Sequence, residues 1–479
     1  VFDAAEETGG KAGTVTVDGV TLDTGPSLMT LPQVAQHLFE LAGERMDERL
    51  TLRAVDPAFR YHYADGTALD IYHRRESTIE SVRETLGSTA ASELDAFLQY
   101  TEAIWDASAP HFVFGDAPSF YSILTRDFRA LIRLPAIDAM STMYDAICSR
   151  VRSPHLRMLL ARYATYNGSD VRQCPGTLNC IAHVELALGG YGVEGGMQSV
   201  ARALTELCIE KGVTFHLNTR VASLEMQRKN VVALHTEGGQ RYPANVIVSN
   251  AEAQHLFADL LPKRPWRRRK APAPSMSAYN LIYRATGTAN RAPHSVFFPE
   301  NYLDEFAAIF DRKTIPPDPT VYVCDQAMSH NIPEWSDGYP LFAMVNAPAV
   351  GRNTQDMDAW HRVRSAMTDR LQNAGLLKAS DAIVWERQPT DLARRFPGSA
   401  GSIYGAASNA IFSAFRRPAN RVNGVKGLYV ATGSAHPGGG VPLCLLSGLA
   451  AARAAVEDAR GQDDHLLVNA TGISPSMSL

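Results

Sequence analysis

The stretch "VFDAAEETGGKAGT", residues 1–14, ends a short apolar run in an acid, Asp3, and follows it with Gly9, Gly10 and Lys11. In a dinucleotide-binding unit the first strand ends in G-x-G-x-x-G, whose backbone approaches a pyrophosphate at a helix N-terminus. About twenty residues later an acid closing the second strand takes the ribose hydroxyls. Asp3 stands where that acid would stand. The expectation is that Val1 and Phe2 end the second strand of a βαβ unit, and that roughly 25 to 30 residues carrying a strand, the glycine loop and a helix precede Val1.

A literal G-x-G-x-x-G occurs elsewhere, at Gly190, Gly192 and Gly195 in "GGYGVEGG". The segment before it, "CIAHVELAL", is not clearly a strand, and the next strand, "VTFHLN", ends at Asn218 and Thr219 with no acid. Out of its structural context the motif is not taken as the cofactor loop. The C-terminal "GSAHPGGGVP", residues 433–442, is more specific. A tight turn would need one or two glycines. This run, between an apolar strand and a small-residue helix, lets backbone N–H groups meet an anionic or electron-rich ligand closely.

The elements that must position these loops alternate along the chain. "GTVTVDGVTLDTGPSLMT" reads as two short strands around Asp18-Gly19, residues 32–46 as a helix, and "FRYHYADGTALDIY" as a hairpin around Asp65-Gly66. Residues 76–165 have helical periodicity. A helix over about 197–211, a strand at "VTFHLN", a hairpin through "VASLEM" and "VVALHT" and a strand at "ANVIVSNA" follow. Beyond a basic, proline-rich connector, "KRPWRRRKAPAP", come strands at "SAYNLIYRA", "TVYVCDQ", "LFAMVNAP" and "AIVWERQ", with a helix over 357–373. Elements that leave a fold and return to it predict two domains sharing one interleaved chain.

Composition narrows the class. The 479 residues are 45% hydrophobic and 20% charged, with a net charge of -4, which gives no argument for a nucleic-acid partner. Cys148, Cys174, Cys180, Cys208, Cys324 and Cys444 show neither a C-x-x-C pair nor metal-ligand spacing with histidine, so neither a metal site nor a disulfide framework is expected. No apolar run reaches the roughly 18 residues of a spanning helix.

"DAAEETGGKAGTVTVDGVTLDTGPSLMT" and "GLYVATGSAHPGGGVPLCLLSG", at opposite ends of the chain and in that order, resemble the bacterial-type carotenoid desaturases, phytoene-desaturase-like FAD enzymes of the glutathione-reductase-like flavoprotein group. The resemblance covers essentially the whole chain. It implies an α/β fold: an N-terminally truncated Rossmann FAD-binding domain from residues 1–75, 190–275 and 385–460, a helical substrate and membrane-facing layer at 76–189, a mixed-sheet substrate domain at 276–384, and a tail at 461–479.

By the same resemblance Asp3 holds the adenosine ribose of FAD. Gly9, Gly10, Lys11 and the turn Gly25, Pro26 and Ser27 line the flavin side, and the backbone of Val221 meets the adenine. Gly433, Ser434, Gly438, Gly439, Gly440, Val441 and Pro442 belong to the loop that caps pyrophosphate and isoalloxazine. Asp3 replaces a commoner glutamate, Lys11 a usual arginine, and Thr432 and Gly439 stand where the family more often has glycine and another small residue. "RMLLARYATYNGSDVRQCPGTLNCIAHVELALGGYGVEGGM" is more similar to the desaturases acting late, at the 3,4 bond of hydroxylated or methoxylated carotenoids, than to those acting on phytoene.

The implied chemistry removes a hydride and a proton from adjacent carbons, and only the flavin can accept the hydride. The enzyme needs a dry tunnel, for which the apolar residues between 112 and 165 are candidates. For the proton step Arg157 matches by position an arginine considered for catalysis in phytoene-type enzymes, although an always-protonated guanidinium suits electrostatic or structural roles better. His436, in the flavin loop, has the better proton chemistry. Arg126, Arg129, Arg133, Arg150, Arg152 and Arg157, interleaved with apolar residues, suit an anionic bilayer, so a cytoplasmic, peripheral-membrane protein is expected. Either a quinone or oxygen remains open as final acceptor.

Two other readings stay in view: a non-catalytic lipid-binding relative similar to the GDP-dissociation inhibitors, and an inactive fragment. A flavin absorption spectrum of the full-length protein separates enzyme from lipid carrier, since a colourless protein that FAD cannot reconstitute would exclude the enzyme. The 479-residue form itself is expected to bind FAD poorly, and stoichiometric tight binding would overturn that expectation.

Overall fold

In the computed structural model, residues 1–117, 137–262, 272–351, 354, 356–410, 413 and 416–460 are described. The expected basic positions Arg126, Arg129 and Arg133, the run 263–270 and the tail 461–479 lie outside them.

Two nine-residue strands rich in aromatic and aliphatic residues, Ser277–Ala285 and Tyr339–Ala347, pair antiparallel along their whole length, from Ser277 opposite Ala347 to Ala285 opposite Tyr339. They are the second and third strands of a seven-stranded mixed sheet ordered Ala382–Arg387, Ser277–Ala285, Tyr339–Ala347, Val321–Asp325, His294–Phe297, Phe59–His62 and Ala68–Ile71. Side chains alternate across a strand, so the sheet has two distinct faces. On one face Tyr279, Leu281, Tyr283, Leu341, Ala343 and Val345 pack against Trp360, Val363, Met367 and Leu371 of the helix Met357–Asn373. On the other, Ala278, Asn280, Phe342 and Met344 line a cavity.

The hairpin Phe59–His62/Ala68–Ile71 was expected with segment 1–75 on the cofactor side. It instead forms the edge of the large sheet, because Phe59–His62 pairs in parallel with His294–Phe297. Alternation identifies a strand locally and carries no information about its partner.

The cofactor side contains shorter parallel pieces. Val1–Asp3 runs alongside 214–219, with His216 N donating to Val1 O at 2.7 Å and Asp3 N to His216 O at 3.0 Å. The strand expected at "VTFHLN" reduces to a single parallel bridge between Phe2 and His216, whose rings stack 4.6 Å apart. Ile247–Ser249 pairs in parallel with Leu428–Val430, ahead of the loop 431–440 and the helix Val441–Arg460. The helical layer includes Arg75–Leu86, Ser88–Phe112, Met143–Arg150 and Pro154–Ala161, joined through Leu94, Phe97, Ile147, Leu156 and Leu159.

The literal G-x-G-x-x-G serves packing. Gly192 lies in a two-residue strand against Leu52–Arg53, and a Cβ there would sit 1.9 Å from the carbonyl oxygen of Ser329. The helix it introduces, Gln198–Glu210, has its N-terminus taken by the buried Asp23, which accepts from Met197 N at 2.5 Å and Gln198 N at 3.3 Å. A protein carboxylate thus fills the place an anionic ligand would need.

Burial raises the Asp23 carboxyl from 3.8 to about 6 against those two hydrogen bonds. The folded state therefore holds this proton more tightly than the unfolded chain. The contribution of the group is greatest below about pH 4 and is lost as pH rises through 6, a difference of about 3 kcal/mol. Asp23→Asn cannot ionise, so its stability relative to wild type should shift in the variant's favour between pH 4.5 and 7.5 in urea melts; a pH-independent difference would show that Asp23 is charged throughout. Separately, Gly192→Ala should cost about 1 to 3 kcal/mol by forcing the Ser329 backbone aside.

Candidate active site

The cavity between the sheet and the glycine loops measures about 1710 Å³, more than the roughly 300 to 1,000 Å³ typical for one small ligand. The chain's two ends form one wall. Asp3, Gly9, Gly10, Lys11 and the turn Gly25–Ser27 line it together with Val221, and so do Gly433 and the run Gly438–Pro442 from the far end of the sequence.

Local geometry explains the glycines. A Cβ on Gly25 would stand 2.0 Å from the Lys11 carbonyl oxygen, because the segment after Gly10 crosses directly over the turn. Gly10 and Gly440 have φ of +59° and +110°, and among the described residues nothing beyond their own chain neighbours lies within 4 Å of where their Cβ would be. These two leave open space at the wall, as a closely approaching flat ligand requires. Asp3 Oδ1 accepts from Ala5 N at 2.9 Å, which holds the carboxylate at the strand end. Lys11 Nζ reaches Glu252 Oε1 at 2.6 Å and the carbonyls of Ser402 and Ile403 at 3.1 and 3.0 Å. It stitches the first loop to two later crossings of the chain. Ser27 Oγ shares a 2.5 Å hydrogen bond with Tyr322 OH on the sheet.

The wall is electropositive where the loops meet. The helix Val441–Arg460 starts at the cavity, its first internal bond running from Cys444 N to Gly440 O at 2.9 Å. Its N-terminal end favours negative charge. Arg387, beside Thr24, has its guanidinium lowered to about 10 by burial and by Arg395. Arg417 is lowered by burial too, and its donors reach only Asn167 Oδ1 at 3.1 Å, Ala406 O at 3.3 Å and Gly433 O at 3.4 Å. Neither arginine forms an ion pair among the described residues, so an anionic dinucleotide fits this wall.

A polar cluster that the sequence reading did not single out also borders the cavity. Arg162, buried in the short 3₁₀ turn Arg162–Asn167, donates through Nη1 to Tyr61 OH at 3.0 Å and Tyr166 OH at 3.2 Å. Tyr163 OH donates to Glu185 Oε1 at 2.9 Å, and Tyr166 OH donates to Glu185 Oε2. Burial raises the Glu185 carboxyl, with Arg162 opposing it. Arg162 and Tyr166 line the cavity. No spacing announces this cluster, since Tyr61 comes from the edge hairpin and Glu185 from the helix Cys180–Leu186.

Three expected site residues lie outside the lining. Ser434 Oγ accepts from Ala253 N at 2.9 Å, and His436 Nε2 donates to Gly115 O at 2.9 Å, with burial lowering the ring's basicity. Both pin the loop. Arg157 is farther along the helical layer, its Nε donating to Val151 O at 2.6 Å and Nη2 to Cys148 O at 3.2 Å, at the end of the helix Met143–Arg150. Arg157→Gln should therefore lower the thermal midpoint by a few degrees, as expected for loss of about 1 kcal/mol, and leave the flavin absorbance per protein unchanged. A loss of flavin at unchanged stability would contradict this placement.

Comparison with known proteins identifies the group. Residues 1–375 match the family described as flavin containing amine oxidoreductase. A hydroxyneurosporene desaturase of Rhodobacter capsulatus is 32% identical over 465 residues, covering 96% of this chain and 92% of that protein. A 4,4'-diaponeurosporene oxygenase of Staphylococcus aureus is 27% identical, covering 94% and 91%. In fold the chain is similar to a putrescine oxidase (TM-score 0.59, 14% identity, covering 95% of this chain and 92% of that one) and to a cyclohexylamine oxidase of Brevibacterium oxydans (TM-score 0.57, 16%, covering 95% and 93%). The chain belongs to the flavin-containing amine oxidoreductase family, within its carotenoid desaturase group, and is an FAD-dependent oxidoreductase.

Proposed function

We propose that this protein desaturates a long acyclic carotenoid, and that its substrate is a hydroxylated or methoxylated one taken at the 3,4 bond. The observation that carries this reading is that one cavity joins the glycine-lined wall to an apolar floor and side. Ala278, Phe342 and Met344 of the sheet and Trp105, Val113, Ile181 and Val184 of the helical layer supply the apolar surface. The names of the hydroxyneurosporene desaturases favour the oxygenated substrate over phytoene.

Asp3, Gly9, Gly10, Val221, Gly433 and Gly438–Pro442 would hold FAD, with the helix N-terminus and Arg417 balancing its negative charge. When bound, FAD supplies the hydride acceptor that no side chain provides. The protein's own part is to exclude water, lay the polyene on the sheet and accept the proton. Tyr166 OH is the acceptor at the cavity wall, passing its own proton to Glu185 Oε2 as it takes the one from carbon. The C–H electron pair left behind becomes the second bond of the new double bond. Arg162 keeps both tyrosines oriented and stabilises Glu185 before it is protonated.

No helix among the described residues is long and apolar enough to cross a membrane. Access to a bilayer-dissolved substrate is proposed through peripheral contact of the helical layer, with a quinone or oxygen as final acceptor.

Incubating the full-length holoenzyme in liposomes with phytoene, neurosporene and a hydroxylated acyclic carotenoid should give a red shift in absorption, greatest with the hydroxylated one. No shift with any of the three would sink the reading. Tyr166→Phe keeps the ring and removes the relay, and should slow turnover by about 100-fold or more at unchanged flavin content. Wild-type turnover in that variant would exclude Tyr166 from the proton step.

A further inference from the structure

The cavity face of the sheet carries polar side chains in two successive rows. Asn280 and Tyr322 flank Met344 in one row, and here the glycine turn meets the sheet through Ser27 and Tyr322. Two residues along, roughly 7 Å at the usual strand rise, Ala278 is opposite Asn346, and Thr320 immediately precedes Val321, the partner of Val345. In this second row the polar groups are Asn346 and Thr320.

Tyr302 and Thr320 are 3% and 5% exposed and both line the cavity; the Tyr302 hydroxyl has no hydrogen-bond partner among the described residues, and Thr320 Oγ1 faces the Glu305 carboxylate without an aligned hydrogen bond. Both flank Glu305, which is buried: Tyr302 precedes it by one helical turn, and Thr320 N donates to Glu305 Oε2 at 2.7 Å. The other carboxyl oxygen accepts from Asn346 Nδ2 at 2.8 Å, which orients that amide. Buried hydroxyls in folded proteins are nearly always paired. One open hydroxyl, and a second that faces only the Glu305 carboxylate, beside an oriented amide describe a place for a ligand oxygen.

We propose that Tyr302, Thr320 and Asn346 form a subsite for a hydroxyl or ether oxygen near one end of an otherwise apolar polyene, and that this contact sets which bond lies beside the glycine turn. The inference rests on the desaturase reading above and adds the residues that select the substrate. The separation of one sheet row corresponds to a few carbon–carbon bonds, so the reacting bond would lie close to the oxygenated terminus. An apolar pocket discriminates weakly between a hydrocarbon and its hydroxylated analogue, whereas a site with waiting hydrogen-bond partners discriminates strongly, because the hydrocarbon leaves them unpaired.

The experiment compares three acyclic polyenes of equal conjugation, carrying a terminal hydroxyl, its methyl ether or no oxygen, with full-length holoenzyme in liposomes. Wild type should favour at least one oxygenated substrate over the hydrocarbon by tenfold or more in kcat/KM. Tyr302→Phe and Thr320→Val should each cut that preference severalfold through KM, and the double variant should abolish it while the hydrocarbon rate holds. Thr320→Ser, which restores the hydroxyl, should keep the preference. Quenching of tryptophan fluorescence by the hydroxylated polyene in FAD-free protein should show the same order of affinities. A preference that survives in the double variant, or is absent from a wild type that desaturates all three, would overturn the subsite and leave the desaturase reading standing. A holoenzyme inert towards all three would overturn both.

Discussion

The register between Ser277–Ala285 and Tyr339–Ala347 is the constraint on which the rest of the site depends. Side chains alternate with period two, so a slip of one residue would exchange the faces of a strand. Tyr279, Leu281 and Tyr283 would leave the helix Met357–Asn373, and Ala278 and Asn280 would leave the cavity. The tight core around Trp360 thus decides, from the opposite side of the sheet, which groups a substrate meets.

The second constraint is electrostatic. Arg162, Glu185 and Glu305 are each almost completely removed from water, and each is tied by several hydrogen bonds. A buried charge without such partners would be too costly to retain. The two polar clusters are therefore rigid features in an apolar chamber, which is the setting in which a single hydroxyl or carboxylate has the most influence on a hydrocarbon.

The fold itself is shared with amine oxidases at 14% to 16% identity, which shows how the chain is arranged and leaves the substrate undetermined. Much of the cavity's floor and side is apolar, through Ala278, Phe342, Met344, Trp105, Val113, Ile181 and Val184, and polar groups gather at the glycine wall, at the Arg162 cluster and along the sheet rows of Tyr322 and Thr320.

Much of this was legible in the sequence. The motifs around Asp3, Gly9–Gly10 and 433–442 pointed to FAD through their resemblance to flavoenzymes; the family match bears out that cofactor, and the structure brings these segments to one cavity wall. The strands expected at 277–285 and 341–348, the second observed at Tyr339–Ala347, and the helix at 357–373 were legible because burial on a fixed face imposes a period. The partner of the Phe59–His62 hairpin, the use of Gly192 against Ser329, the loop-pinning roles of Ser434 and His436, and the convergence of Tyr61, Tyr166 and Glu185 were decided by tertiary structure alone. Each depends on which surfaces distant segments present to one another, and local periodicity and residue type contain no term for that.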